Sequence, residues 1–345
     1  MTSASLTAID CFAGAGGASL GLMWAGFDVR VAFDIDKRAV ETYGANLPGR
    51  IVCADTREFT SPDLLSHAGL AVGECDLLIG GPPCQGFSVQ RRGSDTDDRN
   101  ALVGEFLHRV SDLRPRSFMM ENVPALAGKR GSHLLSDFIE KATRLGYSVN
   151  RAVLDAADYG VPQHRRRLVV VGIQGDRSFE FPTPTFTANT WRTVRDAIGD
   201  LDDPRLLEPS RRLPNHDPDN ISDLNRQRIS LVPEGGGRDD IPTELRLPCH
   251  RVPTAVAGHR AVYGRLWWDR PSATITTKCN SFTRGRFAHP QQDRNISMRE
   301  AARLQSFPDD FIFHGGRVDA AHQIGNAVPP MLAMALGQSI AKQLG

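Results

Sequence analysis

No two cysteines of this chain form a C-x-x-C pair. The six, Cys11, Cys53, Cys75, Cys84, Cys249 and Cys279, are scattered along 345 residues. Zinc sites draw on Cys and His ligands at short spacing, so no metal site is expected. Disulfide frameworks belong to small secreted domains, and the length and scatter argue against one here. An apolar run of the ~18 residues that a membrane-spanning helix requires is also missing. The opening MTSASLTAIDCFAG lacks a basic region followed by an apolar core, so no secretion signal is read. No membrane partner is expected, and the expected location is the cytoplasm. Internal repeats and low-complexity tracts are absent as well.

Net charge is scarce too, at +1. Its distribution is uneven. From Arg246 to Arg303 eleven lysines and arginines stand against three acids, Asp269, Asp293 and Glu300, a balance of +8 that leaves −7 for the rest. Trp267, Trp268 and Phe282 are interleaved with these charges. Such a stretch suits a face that meets phosphates; it suits equally a solvated surface whose charges balance in three dimensions.

What the chain does have is a β-α rhythm. SLTAIDCFA, FDVRVAFD, RIVCAD, CDLLIG and SFMMENV read as short apolar strands. Helical patterns separate them at ASLGLMWAG, KRAVETYGANL and Asn100 to Leu113, and another follows at Ser132 to Leu145. Repeated units of this kind predict an α/β fold, a mostly parallel sheet with helices on both faces. YSVNRAVLDA and RRRLVVVGIQ follow with no long helix between them and are expected to pair as an antiparallel edge. Past Gly175, prolines, Asp/Asn and the run Gly235 to Gly237 predict a smaller, loop-rich domain. Helical periodicity returns at SMREAARLQSF and PPMLAMALGQSIAKQL, and the last helix is apolar enough to pack back on the first domain. The expected division is 1–175 with 323–345 for the sheet domain, 176–290 for the loop-rich domain and 291–322 for a hinge.

DCFAGAGG lies between the first strand and first helix, where open α/β sheets bind ligands. Gly14 and Gly16 match G-x-G-x-x-G, but the third position is Ser19, which counts against a nicotinamide oxidoreductase. Asp34 ends the second strand, where an acid accepts hydrogen bonds from both ribose hydroxyls. Asp55 ends the third, near the place of an adenine amine. Acids at successive strand ends, with no phosphate-binding lysine, suit a nucleoside without pyrophosphate. S-adenosylmethionine answers that description, and its cationic sulfonium favours nearby acids.

In LLIGGPPCQGFS, Pro82 and Pro83 fix φ and remove two backbone donors, which holds Cys84 rigidly at the sheet's carboxyl edge. The polar segment after it, with Gln90, Arg91 and Arg92, is a candidate lid. Glu121 ends an apolar strand, where burial favours a protonated carboxyl. In VPQHRRRLVVVG, alternation puts Gln163, Arg165 and Arg167 on one face and Arg166 on the other.

DCFAGAGG, GGPPCQGFS, ENV, QHRRR, RLQSFPDDF and QIGNAVPP, in this order, resemble the motifs of the bacterial cytosine-C5 DNA methyltransferases. The resemblance implies a Rossmann-like S-adenosylmethionine-dependent domain with a smaller target-recognition domain, acting on double-stranded DNA. By position it makes Cys84 the nucleophile toward C6 of cytosine. Glu121 contacts N3 and the exocyclic amine, and Arg165 and Arg167 hold the flipped base and the surroundings of Cys84. Phe12, Gly14, Gly16, Asp34, Ile35, Asp55 and Pro83 belong to the cofactor pocket, which Asn326 and Val328 close. Asp34 and Ile35 stand where the family often has Glu and an aromatic, a departure expected to weaken cofactor binding without changing the chemistry. The first motif begins near the start of the chain, which points to a bacterial or phage enzyme. A monomer is expected, nucleoid-associated when on DNA, with a restriction endonuclease of the same site as candidate partner. Two alternatives differ in substrate or activity: the same methylation on tRNA, and a catalytically silent DNA-binding relative. The second predicts loss of Cys84 or Glu121, and both are present.

Overall fold

A strand with almost no exposed side chain starts the sheet. Ala8, Ile9 and Cys11 of β1 (Thr7–Cys11) are fully buried. The computed structural model describes residues 5–83, 101–248, 251 and 261–345. They fall in two units: Met1–Tyr159, Arg166–Thr185 and Val328–Gly345 form the first, Gly160–Arg165 and Phe186–Ala327 the second. The segment 291–322 lies within the second.

In the first unit β1 is joined by β2 (Asp28–Asp34), β3 (Arg50–Cys53), β4 (Leu77–Gly80), β5 (Ser117–Asn122), β6 (Tyr147–Asp155) and β7 (Arg166–Gln174). The order is β3-β2-β1-β4-β5-β7-β6. The pairings among β1 to β5 are parallel, while β7 runs antiparallel to both β5 and β6, the edge that sequence reading expects. The chain leaves β1 in one direction through β2 and β3, then returns to β4 on the other side. That reversal opens a crevice beyond the carboxyl ends of β1 and β4, where ligands of open α/β sheets bind. Both the glycine loop and Pro82–Pro83 emerge there.

Helices α1 (Gly17–Trp24), α2 (Lys37–Asn46), α3 (Ser61–Ala68), α4 (Ala101–Leu113) and α5 (Ser132–Arg144) connect the strands. Their starts are chemically marked. Asp36 caps α2 by accepting from the Arg38 and Ala39 amides, and Thr60 and Asp63 form a reciprocal capping box at α3. Aromatic rings seal one face of the sheet: Phe118 of β5 meets Phe138 of α5 and Tyr147 of β6 edge-on, at 5.7 and 5.2 Å between centroids.

The second unit contains α6 (Val194–Ile198), α7 (Asp223–Ser230), α8 (Met298–Leu304) and α9 (Arg317–Asn326). Between them its described residues make isolated bridges rather than a sheet. Carbonyls without ladder partners still need donors, and buried arginines supply them. Arg265 donates to the carbonyls of Ile229, Val232, His289 and Gln292 and to Asp293. Arg299 serves Pro214, Pro308 and Phe311. Arg294 makes a fully buried pair with Glu300 at 2.6 Å. Three cations of the stretch from Arg246 to Arg303, namely Arg265, Arg294 and Arg299, are therefore internal scaffolding, while Arg270, Lys278 and Arg284 are exposed.

The final helix, α10 (Pro330–Leu344), returns to the first unit and packs on α1. The approach is close: a Cβ on Gly21 would stand 2.2 Å from the Pro330 carbonyl oxygen. Arg116 ties its end to the sheet, bonding both Asp76 and the Leu344 carbonyl. Among the described residues no helix is long and apolar enough to cross a membrane.

Candidate active site

The turn after β1 carries three left-handed residues, Phe12 (φ 62°), Gly14 (φ 56°) and Gly16 (φ 94°). For phenylalanine that conformation is strained; its ring lies 5.8 Å from Phe33 of β2. The two glycines serve different ends. A Cβ on Gly14 would meet nothing within 4 Å, so the loop is open there, whereas one on Gly16 would strike Leu47 Cδ1 at 2.5 Å and Tyr43 Cδ2 at 2.7 Å. Asp34 fixes the turn by accepting from the Gly14 and Asp36 amides, each at 2.8 Å. Burial, opposed by these amides, raises its pKa above the ordinary value. Ile35, the next residue, is 66% exposed. An aliphatic side chain held in the open beside a carboxylate suits the face of a nucleoside base.

Asp55 is already engaged. Arg57 reaches its Oδ1 through Nε at 3.0 Å and its Oδ2 through a second guanidinium nitrogen, and the same contacts depress the Asp55 pKa to about 2. Contact with an adenine amine would share this carboxylate with Arg57. The donor set as a whole fits S-adenosylmethionine: a backbone turn open at Gly14, acids at the ends of two adjacent strands, and an exposed apolar side chain.

Beneath the loop lies a group that sequence reading passed over. Asp10 of β1 is buried and accepts from Ser19 Oγ of α1 at 2.6 Å; Ser19 in turn accepts from Tyr43 Oη of α2 at 3.0 Å. Burial, with the Asp34 charge adding, pushes the Asp10 pKa up to about 7. Two signals were present in the sequence: a charged residue inside an apolar strand, and a serine at the fingerprint's third glycine position.

Across the crevice, β4 ends at Gly80, whose missing side chain makes room for Phe106, 2.7 Å from an ideal Cβ. Asn122 of β5 donates to the Pro82 carbonyl at 3.0 Å, and its Oδ1 accepts from the Val123 amide at 2.9 Å. Glu121 lies beside Gly81, and its Oε1 stands 2.8 Å from Nε of Arg167 on β7. Pro83 is half-buried at the end of this segment. Cys84 follows it directly and, like Gln90, Arg91, Arg92 and Cys249, lies outside the described residues. Of the described cysteines, Cys11, Cys75 and Cys279 are buried, and burial pushes the thiols of Cys75 and Cys279 up to about 12; Cys53 is exposed.

Gln163 and Arg165 belong to the second unit, and both are buried. Gln163 accepts from the Ile275 amide and donates to the Leu304 carbonyl and to Gln305. Arg165 donates to the carbonyls of Ile275 at 3.1 Å and Gly325 at 3.0 Å. Asn326, at the end of α9, is exposed and near His322, while Val328 opens the last segment of the first unit. Arg166 is exposed, as strand alternation expects.

Comparison with known proteins agrees along nearly the whole chain. The model of the C-5 cytosine-specific DNA methylases matches residues 6–342. The type II methyltransferase M1.HphI of Haemophilus parahaemolyticus is 39% identical over 342 residues, spanning 98% of this chain and 87% of the relative. The type II methylase M.HgiDII of Herpetosiphon aurantiacus is 36% identical over 340 residues, spanning 97% and 94%. Among solved structures, an E. coli prophage protein described as a DNA modification methyltransferase superposes with a TM-score of 0.75 at 28% identity, covering 98% of this chain and 99% of that one.

Proposed function

The chain belongs to the C-5 cytosine-specific DNA methylases, and from that membership we propose that Cys84 adds to C6 of a cytosine swung out of duplex DNA. The enzyme class, a DNA (cytosine-5-)-methyltransferase of the type II restriction-modification kind with S-adenosylmethionine as cofactor, follows from the family. The cofactor supplies the methyl group that C5 receives. Phe12, Gly14, Gly16, Asp34, Ile35 and Asp55 would hold it, with Pro83 and Val328 beside them in the same unit. Cytosine C5 is a weak nucleophile, so the ring must first become an enamine through attack at C6. Loss of the C5 proton and of the Cys84 sulfur then restores aromaticity.

Thiol ionisation supplies little of the rate. At an ordinary pKa of ~8.5, about 3% of a thiol is ionised at neutral pH, so complete ionisation recovers only ~2 kcal/mol. Enzymes lower barriers by ~8–23 kcal/mol. Most of the effect therefore rests on positioning and on charge stabilisation at the ring by Glu121 and Arg167. The observation that carries this reading is the brace around Cys84's neighbours: Pro82 held by Asn122, with Glu121 fixed beside it by Arg167. Extruding the base costs a few kcal/mol, and in this proposal the second unit supplies the phosphate and base-edge contacts that repay it. The enzyme then works as a cytoplasmic monomer on nucleoid DNA, with a restriction endonuclease of the same sequence as partner.

The test is trapping. Duplex DNA carrying 5-fluorocytosine at the methylated site, located first by bisulfite sequencing of DNA from an expressing host, should become covalently attached to the protein in the presence of cofactor. Cys84→Ala should abolish both adduct and methyl transfer while retaining DNA binding. Transfer by Cys84→Ala, or labelling of tRNA in place of duplex DNA, overturns the proposal.

A further inference from the structure

The Asp10–Ser19–Tyr43 chain has no part in the mechanism above, yet three facts point it at the glycine loop. It is buried between β1, α1 and α2, the elements that flank the loop. Its hydrogen bonds run in one direction, from Tyr43 Oη to Ser19 Oγ and from Ser19 Oγ to Asp10 Oδ2, so the Ser19 hydroxyl both accepts and donates. Its outer end, the Tyr43 ring, fills the space where a side chain at residue 16 would lie. The loop is thus fastened twice, by Asp34 at the Gly14 amide and by the Tyr43 ring under Gly16.

We propose that Asp10, Ser19 and Tyr43 are positioning residues for the cofactor, a buried brace that holds the left-handed turn from Phe12 to Gly16 in its binding shape. The inference rests on the cofactor reading above. Without the brace the ring of Tyr43 is free to shift, and a turn containing a strained phenylalanine relaxes toward ordinary backbone angles. The chemistry of methyl transfer is untouched; the cost falls on binding of the cofactor.

The experiment measures S-adenosylmethionine binding by titration calorimetry, with thermal melting and steady-state kinetics on the same preparations. Tyr43→Phe keeps the ring and removes only the hydroxyl; a lost hydrogen bond of ~1 kcal/mol should raise the cofactor dissociation constant about fivefold. Ser19→Ala breaks both bonds and should raise it about tenfold or more. The double variant should be no worse than Ser19→Ala alone, because Tyr43 then has nothing left to donate to. KM for the cofactor should follow while kcat at saturation stays within about twofold, since uniform binding is what was lost. Asp10→Asn, which still offers Ser19 an acceptor, should bind nearly as the parent, and Asp10→Ala should not. Melting temperatures that fall while cofactor affinity stays constant would reduce the chain to a packing feature and overturn the proposal. If the parent protein itself fails to bind the cofactor, the cofactor reading falls first and the brace with it.

Discussion

Glu121 and Arg167 face each other from neighbouring antiparallel strands, with Oε1 and Nε 2.8 Å apart and side chains only 14% and 13% exposed. Each orients the other, and neither can be removed without leaving a mostly buried charge behind. Glu121→Gln keeps the shape but removes the charge that pairs with Arg167. It should lose part of the pair's stability, because the Arg167 charge is left without a counterion, and about 10²- to 10⁴-fold in kcat, the range for a displaced acid–base group. Arg167→Ala should be the less stable of the two, losing several kcal/mol because the carboxylate is left uncompensated and the packing of the arginine stem is lost as well. Paired denaturant melts and single-turnover rates separate the two effects; equal melting midpoints for both variants would refute the argument.

Asn122 tests whether the segment before Cys84 depends on its anchor. Its Nδ2 holds the Pro82 carbonyl and its Oδ1 holds the Val123 amide. Asn122→Ala should cost about 1–3 kcal/mol, the range for leaving buried polar groups unsatisfied. Activity measured well below the melting temperature should fall further than that, because two prolines transmit any shift directly to the next residue. Asn122→Asp keeps an acceptor for Val123 but loses the donor to Pro82. It should resemble the alanine variant in rate, and parent-like turnover would remove the anchoring role.

Asp10 makes stability depend on pH. The groups facing it are Ser19 from α1, Tyr43 from α2 and the Asp34 carboxylate from β2, with Cys11 beside it on β1. Its pKa is raised from 3.8 to about 7, chiefly by burial. A carboxyl raised on folding contributes fully below its unfolded pKa, and that contribution is lost as pH rises through the folded one. The difference corresponds to roughly 4 kcal/mol between the two protonation states. Asp10→Asn cannot ionise, so its stability relative to the parent should improve from pH 4 to pH 7 and level off above. Urea melts at intervals of pH give the curve; a difference that is flat across this window contradicts a buried, ionising Asp10.

The sheet was legible because strand alternation and short apolar runs are local signals, and the antiparallel β6–β7 edge followed from a missing helix. Short capped helices were not. α3 is eight residues with a Thr60–Asp63 capping box, and α7 is as short, capped by Ser222 inside a stretch that reads as loop. The positive stretch divides into buried and exposed cations for a physical reason. Linear charge counts assume solvent on every guanidinium, whereas Arg265, Arg294 and Arg299 are buried among carbonyls that have no strand to pair with. Motif resemblance named Asp34, Glu121 and Arg167, which the structure places at the ends of β2, β5 and β7. The brace beneath the loop needed three dimensions, because Asp10, Ser19 and Tyr43 come from a strand and two helices.

Arg165 poses the sharpest question of role. Motif resemblance expects it near the flipped base, while in the second unit its guanidinium spends hydrogen bonds on the Ile275 and Gly325 carbonyls with the residue only 2% exposed. Bonds from a charged donor are worth about 1.5–3 kcal/mol each. Arg165→Ala should therefore destabilise the protein by about 3–6 kcal/mol, the sum of two such bonds. Arg165→Lys, a point donor that cannot reach two carbonyls in a fixed fork, should recover less than half of that loss. The competing role, contact with the base, makes the opposite forecast: melting unchanged, cofactor affinity unchanged, and a fall confined to kcat. Denaturant melts of the two variants beside their turnover rates decide between a residue that handles cytosine and one that holds the segments from Gly160 and Ile275 together.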